Sequence, residues 1–190
     1  MIRFAIALGA LALALPAAAQ TSTWNIDSNH SEVDFTVKHM SLSNVRGHFH
    51  GVKGAITLNE ADITKSSVSV TIDVSSVDTG VSMRDNDLKS PNYFDAAQFP
   101  TATFTSTSVS GSGTNLKVSG NLTLHGVTKP VELDVEGPSG PVNGMDHKPH
   151  AGYTASVTLN RKDFGVGAKT PNGMVSDEVK LTIDMDVAKQ

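Results

Sequence analysis

Apolar and polar residues alternate with a period of two along most of this chain. In the first such segment, Val33, Phe35 and Val37 are separated by charged or polar neighbours. Strict alternation indicates strands with one buried side and one solvent-facing side, as in antiparallel sheets. The pattern recurs in five further segments, 68–74, 116–124, 131–135, 153–159 and 179–187. Two less regular runs, 45–58 and 101–109, bring the total to about eight main strands, which predicts an all-β domain.

The run 45–58 changes the parity of its apolar positions. Phe49 is at an odd position, whereas Val52 and Ile56 are at even positions. A β-bulge near Gly51 would restore one inward face and bend the strand, as closure of a barrel requires. Eight antiparallel strands can form a sandwich or a closed barrel. Because the inward positions are mostly aliphatic and aromatics are only 5% of the chain, we favour an eight-stranded antiparallel barrel with unfilled interior volume.

Two segments depart from the strand pattern. Residues Ser82 to Lys89 are predicted to form one short helix, since Ser82 and Asp85 give a weak capping box and Ser90-Pro91 stops the helix. The segment Gly137 to His150 is rich in glycine and proline and is predicted to be a long surface connection.

The N-terminus has the pattern of a secretory signal peptide. Arg3 supplies the positive charge, an apolar run follows to Leu15, and Ala17 to Ala19 give small residues at the cleavage positions. We therefore predict a signal peptide at 1–19 and a single domain at 20–190. The apolar run is shorter than the roughly 20 residues that a membrane span needs. The expected location is the periplasm.

Composition excludes several functional classes. The formal net charge is −4 and there is no block of basic residues, which argues against a nucleic-acid partner. The chain has no cysteine, so disulfides, thiolate nucleophiles and thiolate metal ligands are excluded. No nucleophile elbow, zinc-protease helix or phosphate-binding glycine loop is present in the sequence, and we predict neither a catalytic residue nor a cofactor.

The inward positions of the predicted strands are candidates for the wall of a ligand cavity. Inward residues of any barrel have this character, so a filled structural core is the alternative. The wall candidates are Val33, Phe35, Val37, Val70, Ile72, Val118, Leu122, Val157, Leu181 and Ile183.

Polar residues follow the strands that run in one direction. If successive strands alternate in direction, the segments 33–38, 68–77, 115–124 and 152–160 all end at the same rim. Polar groups above an apolar interior are typical of a site for an amphiphile with a polar head. The alternative is a network of arginine and aspartate that closes the barrel end. The candidates for this mouth are His39, Asp78, Arg84, Asp85 and Arg161.

The seven histidines raise the question of a metal site. His48 and His50 are two residues apart, so both imidazoles point to one face of a strand, a spacing that suits zinc or copper. Phe49 takes the opposite and buried face, which leaves both histidines facing solvent. No cysteine or carboxylate motif completes a ligand set, and no metal site is predicted.

An ordered set of motifs resembles the YceI-like family of exported bacterial proteins. The resemblance covers nearly all of 23–187. It implies a lipocalin-like barrel around a hydrophobic tunnel that binds polyisoprenoids, isoprenoid quinones or other long-chain amphiphiles, and it implies no enzymatic activity. Two departures are Asp87, where the family has a histidine, and the segment 145–150. The motifs are WNID at 24–27, HS at 30–31, VDFTVKH at 33–39, GHF at 47–49, SVDTG at 76–80, RD at 84–85, YFD at 93–95, FP at 99–100, GNLTLHGVTKP at 120–130 and NRKDFG at 160–165.

Taken together, the residues and the resemblance predict a periplasmic binding or carrier protein for a long-chain isoprenoid-type lipid. Two other functions stay open. A metal-binding or stress-response protein would depend on the histidines, and a ligand-free structural β-domain would have a filled core. The oligomeric state, including a homodimer, is also open.

Overall fold

The structure is a computed structural model that describes residues 21–190. The predicted signal peptide at 1–19 lies outside the described residues. The described part contains one α-helix, α1 (Ser82–Lys89), as predicted. It contains eleven strands: β1 (Thr21–Ile26), β2 (Glu32–His39), β3 (Ser43–Phe49), β4 (Val52–Asn59), β5 (Ser67–Asp73), β6 (Val77–Asp78), β7 (Thr101–Ser112), β8 (Asn115–Leu124), β9 (Val127–Asn143), β10 (Pro149–Asn160) and β11 (Glu178–Lys189).

The eleven strands form a closed barrel with eight positions around the ring. Three positions hold two short strands in succession: β1 with β2, β3 with β4, and β5 with β6. The last strand closes the ring, because β11 pairs with β10 on one side and with both β2 and β1 on the other. All pairings are antiparallel. The predicted eight-stranded antiparallel barrel is confirmed.

The predicted bend lies at Gly51. This residue separates β3 from β4 and has a φ of +68°, in the left-handed region that glycine favours. Phe49 before the break and Val52 after it are both buried. The change of parity in the sequence therefore keeps one apolar face towards the interior while the chain turns around the barrel.

One prediction about the strands was wrong, and one strand was missed. The segment 137–150 is not a long surface loop, because β9 continues to Asn143 and pairs with β10, which begins at Pro149. Glycine and proline here mark irregular pairing, with register shifts on either side of Gly152. The strand β1 was not predicted at all, since Thr21 to Ile26 has only a short apolar pattern.

Loops cover the barrel end at which β2, β6, β8 and β10 finish. The segment around α1 contributes Leu88 and Phe94, which pack against the interior residues. The ring of Phe94 meets that of Phe49 edge-on, with centroids 5.3 Å apart. Residues 161–177 form the second covering segment. Within 21–190, no helix has the length and apolar character of a membrane span.

Candidate ligand-binding site

The barrel interior is not completely filled. One cavity of about 120 Å³, here called cavity A, lies between β2, β4, β5, β7, β8, β9, β10 and β11. Its lining is almost entirely aliphatic and aromatic, with Ser66, Ser67 and Tyr153 as the polar residues. Burial raises the pKa of the Tyr153 phenol above its usual value, so the phenol stays neutral at physiological pH.

A second cavity of about 140 Å³, here called cavity B, lies beneath α1 and the 161–177 segment. Leu88, Tyr93 and Phe94 line it on the helix side, and Phe164 and Val166 line it from the other covering segment. The hydroxyl of Tyr93 accepts a hydrogen bond of 3.1 Å from Thr170, which joins the two covering segments.

Cavities A and B adjoin one another. Val33, Ile72, Leu122 and Leu181 line both of them. These four residues come from four different strands and surround the interior at the level where the cavities meet. The two cavities therefore lie end to end along the barrel interior, with these four side chains between them, and together they are here called the passage.

All ten wall candidates face this passage. Their contact with a ligand stays a prediction. Besides the four shared residues, cavity A is lined by the wall candidates Val70, Val118, Val157 and Ile183. Cavity B is lined by Phe35 and Val37. Sequence reasoning missed the covering residues Leu88, Tyr93 and Phe94. Their only signal was the presence of three apolar or aromatic side chains in an otherwise polar segment, which period-two analysis does not detect.

The mouth candidates do not converge on the passage as predicted. His39 is exposed, because β2 runs beyond the barrel wall before it turns into β3. Asp78 is also exposed, and its carboxylate accepts a hydrogen bond of 2.6 Å from the amide of Gly80. Neither residue lines cavity A or B. Extending the inward parity of the strand to these positions was wrong. A short 3-10 turn at Val74–Ser76 separates β5 from β6, so Val77 is buried and Asp78 faces outward. His39 pairs with Ser43 at the exposed end of the β2–β3 hairpin.

Arg84 and Asp85 organise the turn before α1 rather than the cavity. Asp85 accepts hydrogen bonds from the amide and hydroxyl of Thr79, at 2.9 and 2.5 Å. Arg84 donates to the hydroxyl oxygen of Thr79 at 2.7 Å and to its carbonyl at 2.8 Å. Neither Arg84 nor Asp85 lines cavity A or B.

Arg161 is the one mouth candidate that lines cavity B, and its guanidinium is fully engaged elsewhere. It is 6% exposed and forms an ion pair of 2.9 Å with Asp177. The remaining donors bond to backbone carbonyls of the covering segment, those of Val166, Gly167, Thr170, Val175 and Ser176. No donor of Arg161 is left for a ligand head. Its place matches the alternative given for the mouth, a network that closes the barrel end.

His48 in β3 and His50, one residue after the end of β3, face outward, as the sequence indicated. His50 is exposed, His48 is half-buried, and Phe49 between them is buried. The imidazole centroids of His48 and His50 are 4.4 Å apart.

Sequence comparison assigns the chain to a family. The YceI-like domain matches residues 24–187. This chain belongs to the YceI-like family. A UPF0312 protein from Pseudomonas paraeruginosa is 36% identical over 192 residues, covering 98% of this chain and 96% of that protein.

Solved structures support the barrel assignment. The crystal structure of BcnA from Burkholderia cenocepacia superposes with a TM-score of 0.75 at 25% identity, over 85% of this chain and 98% of that one. A polyisoprenoid-binding domain from Saccharophagus degradans, implicated in plant cell wall breakdown, gives a TM-score of 0.64 at 18% identity, over 88% and 98%. At that identity the second similarity shows the fold alone.

The two departures from the YceI-like pattern lie away from the passage. Asp87 is exposed on α1. Asp146, in the turn between β9 and β10, bonds to His150, whose other nitrogen lies 2.8 Å from Asp186. Neither Asp87 nor Asp146 lines cavity A or B, so these differences leave the apolar lining unchanged.

Proposed function

We propose that this YceI-like protein binds and carries a long-chain isoprenoid-type lipid, with the tail held in the passage formed by cavities A and B. The observation that carries the proposal is the adjacency of the two apolar cavities, since Val33, Ile72, Leu122 and Leu181 line both. A single lipid tail would extend from one cavity into the other by displacing these side chains.

The apolar lining of cavities A and B would supply the affinity of the protein for the lipid tail. Burial of one methylene group contributes roughly 0.8 kcal/mol, so an apolar tail accumulates binding energy without specific polar contacts. Arg84, Asp85 and Arg161 already bond within the protein. Recognition of the lipid therefore depends on the shape and length of its tail more than on its head group.

The cavity volumes favour a narrow ligand. A cavity of about 150 Å³ in an apolar protein core holds one benzene ring. Cavities A and B, at about 120 and 140 Å³, are each of that size. A slender chain can thread both in extended form, whereas a fused-ring lipid requires the wall to open. A long polyisoprenoid would fill the passage, displace flexible wall side chains and extend beyond one end.

The lipid class and the compartment belong to the proposal. The Saccharophagus degradans domain of the same fold is named for polyisoprenoid binding. The signal-peptide pattern of residues 1–19 supports a periplasmic location, where an apolar lipid needs a carrier to cross water between membranes. We propose a binding role without catalysis, since the passage brings no nucleophile and base together among its lining residues.

Mass spectrometry of solvent extracts tests the proposal. The full-length chain is expressed in a bacterium, purified from the periplasm without detergent, and extracted. A long-chain isoprenoid lipid in near-stoichiometric amount is expected. Delipidated protein is then incubated with vesicles that contain a polyprenol and is re-isolated to measure uptake. Absence of lipid in both experiments would overturn the proposal and favour a ligand-free structural domain.

A further inference from the structure

A group of imidazoles and carboxylates lies on the outer wall of the barrel, on the side of the sheet opposite cavity B. Strand register aligns three of them in one row. Asp34 of β2 is directly opposite His48 of β3, and His48 is directly opposite Asp78 of β6. Directly opposed residues of antiparallel strands have Cβ atoms about 4.5–5.5 Å apart, so the row brings three ligating side chains together.

Two more ligating groups flank this row. Glu32 is two residues before Asp34 and His50 is two residues after His48, which places each on the same face as its neighbour. The result is two groups of three ligand atoms, each within 4.8 Å of one another: His48, His50 and Asp78 in one, and Glu32, Asp34 and His48 in the other. His48 belongs to both.

We propose that this group binds one divalent transition-metal ion of the zinc or copper type, with His48 as the central ligand. Bonds from zinc to imidazole nitrogen and carboxylate oxygen are about 2.0–2.2 Å, so ligand atoms around the ion lie about 3.3 Å apart. Side-chain rotation on a fixed sheet closes the remaining distance. Two imidazoles with carboxylate form a ligand set that copper and zinc accept, whereas magnesium and calcium prefer oxygen alone.

The charges in the group support a cation. Glu32 and Asp34 lie on one side of His48 and Asp78 lies on the other. Across residues 21–190, none of the three forms an ion pair with lysine or arginine. Asp78 uses Oδ1 for the amide of Gly80, which leaves Oδ2 available. Arg46 is the basic residue of β3, two positions before His48. It is opposite Thr36 and therefore lies outside the row.

Sequence analysis predicted no metal here for a specific reason. The pair His48 and His50 was visible, but the carboxylates come from two other strands, β2 and β6. Only the register of β2 and β6 against β3 places Asp34 and Asp78 beside His48. The site depends on outward side chains, so it is independent of the lipid proposal.

Calorimetric titration of the metal-free protein with zinc chloride and with copper chloride tests the site. We expect one ion per chain with micromolar or tighter affinity. Loss of one ligand at a metal site weakens binding typically 10–100-fold. His50→Ala and Asp34→Asn should each weaken binding by about tenfold, because one group of three remains. His48→Ala should weaken it at least 100-fold, because both groups lose a ligand.

Two controls make the outcome decisive. His147→Asn changes an exposed histidine in the turn after β9 and should leave affinity unchanged. Circular dichroism should show native spectra and melting for every variant, since all these side chains face outward. Unchanged zinc affinity in folded His48→Ala, or equally tight binding of magnesium, would overturn the proposal and indicate non-specific attraction by the carboxylates. Absence of saturable binding in the unmodified protein would also overturn it.

Discussion

The Nη2 atom of Arg161 lies 2.9 Å from Oδ1 of Asp177, and this pair joins the two ends of the segment that covers cavity B. Between the two residues, the same guanidinium bonds to the carbonyls of Val166, Gly167, Thr170 and Val175. A single buried cation therefore holds the covering segment in its closed shape.

Removal of this guanidinium should destabilise the fold strongly. Arg161→Ala leaves several buried carbonyls without their donor and leaves Asp177 paired with Lys162 alone. Breaking a buried pair typically costs about 3–5 kcal/mol. We expect a clear fall in the free energy of unfolding measured with urea. His39→Ala, at an exposed position of the same rim, should change it by less than about 0.5 kcal/mol. Equal effects of the two substitutions would contradict the structural role of Arg161.

An enlarged side chain inside cavity A should block the tail. Val118 lines this cavity and is buried, and Val118→Phe would place a ring in space that the lipid occupies. Overpacking a filled core costs about 1–3 kcal/mol, whereas entering an empty cavity costs less. We expect near-normal stability after delipidation and loss of the co-purifying lipid by mass spectrometry. Unfolding of Val118→Phe, with Val118→Ala tolerated, would instead indicate a filled core.

A methyl group at Gly120 should disturb cavity A by displacing the lining residue Phe104. A Cβ at this position would collide with the ring of Phe104, which lines cavity A, and would lie 2.6 Å from the carbonyl oxygen of Thr105. Gly120→Ala should therefore lower the free energy of unfolding by about 1–3 kcal/mol and reduce lipid retention. Gly173→Ala is the control, since nothing lies within 4 Å of its Cβ. Equal stability of both variants would show that Phe104 moves aside freely.

The stability contributed by His150 should depend on pH. Its Nδ1 lies 2.8 Å from Asp186 and its Nε2 3.1 Å from Asp146. Only the protonated imidazole donates to both carboxylates. The hydrogen bond to Asp186, with a smaller contribution from Asp146, raises the pKa of His150 above 6.5. The contribution is therefore complete below about pH 6.5, the ordinary histidine value, and is lost as pH rises through the raised pKa.

Thermal melting of the wild type and of His150→Gln measures this dependence. The difference in melting temperature should be largest near about pH 6 and shrink towards about pH 8.5. His30 also has a raised pKa, caused mainly by its hydrogen bond to Asp27, and this residue is present in both proteins. A difference that is constant over this range would show that His150 does not titrate in the folded state.

The barrel was predictable from the sequence because one physical signal repeats in it. Alternation fixed the inward face of each main strand, so Val33, Val118 and Leu181 line the passage as expected. The orientation of the polar residues at the barrel end does not follow a period of two. Asp78 faces solvent because a short turn at Val74–Ser76 changes the parity between β5 and β6. The outward row around His48 depends on the register of β2 and β6 against β3. Neither is encoded in local spacing.

Closure of the ring by β11 has a consequence for folding. The strand that completes the barrel pairs with residues near the other end of the chain, with Trp24 opposite Lys189. Such distant contacts carry a large loop-closure entropy and make folding slow, because most of the chain must be ordered before they form. A growing chain cannot complete this barrel until its final strand has been synthesised. The apolar interior can therefore become a closed compartment only after β11 has been made.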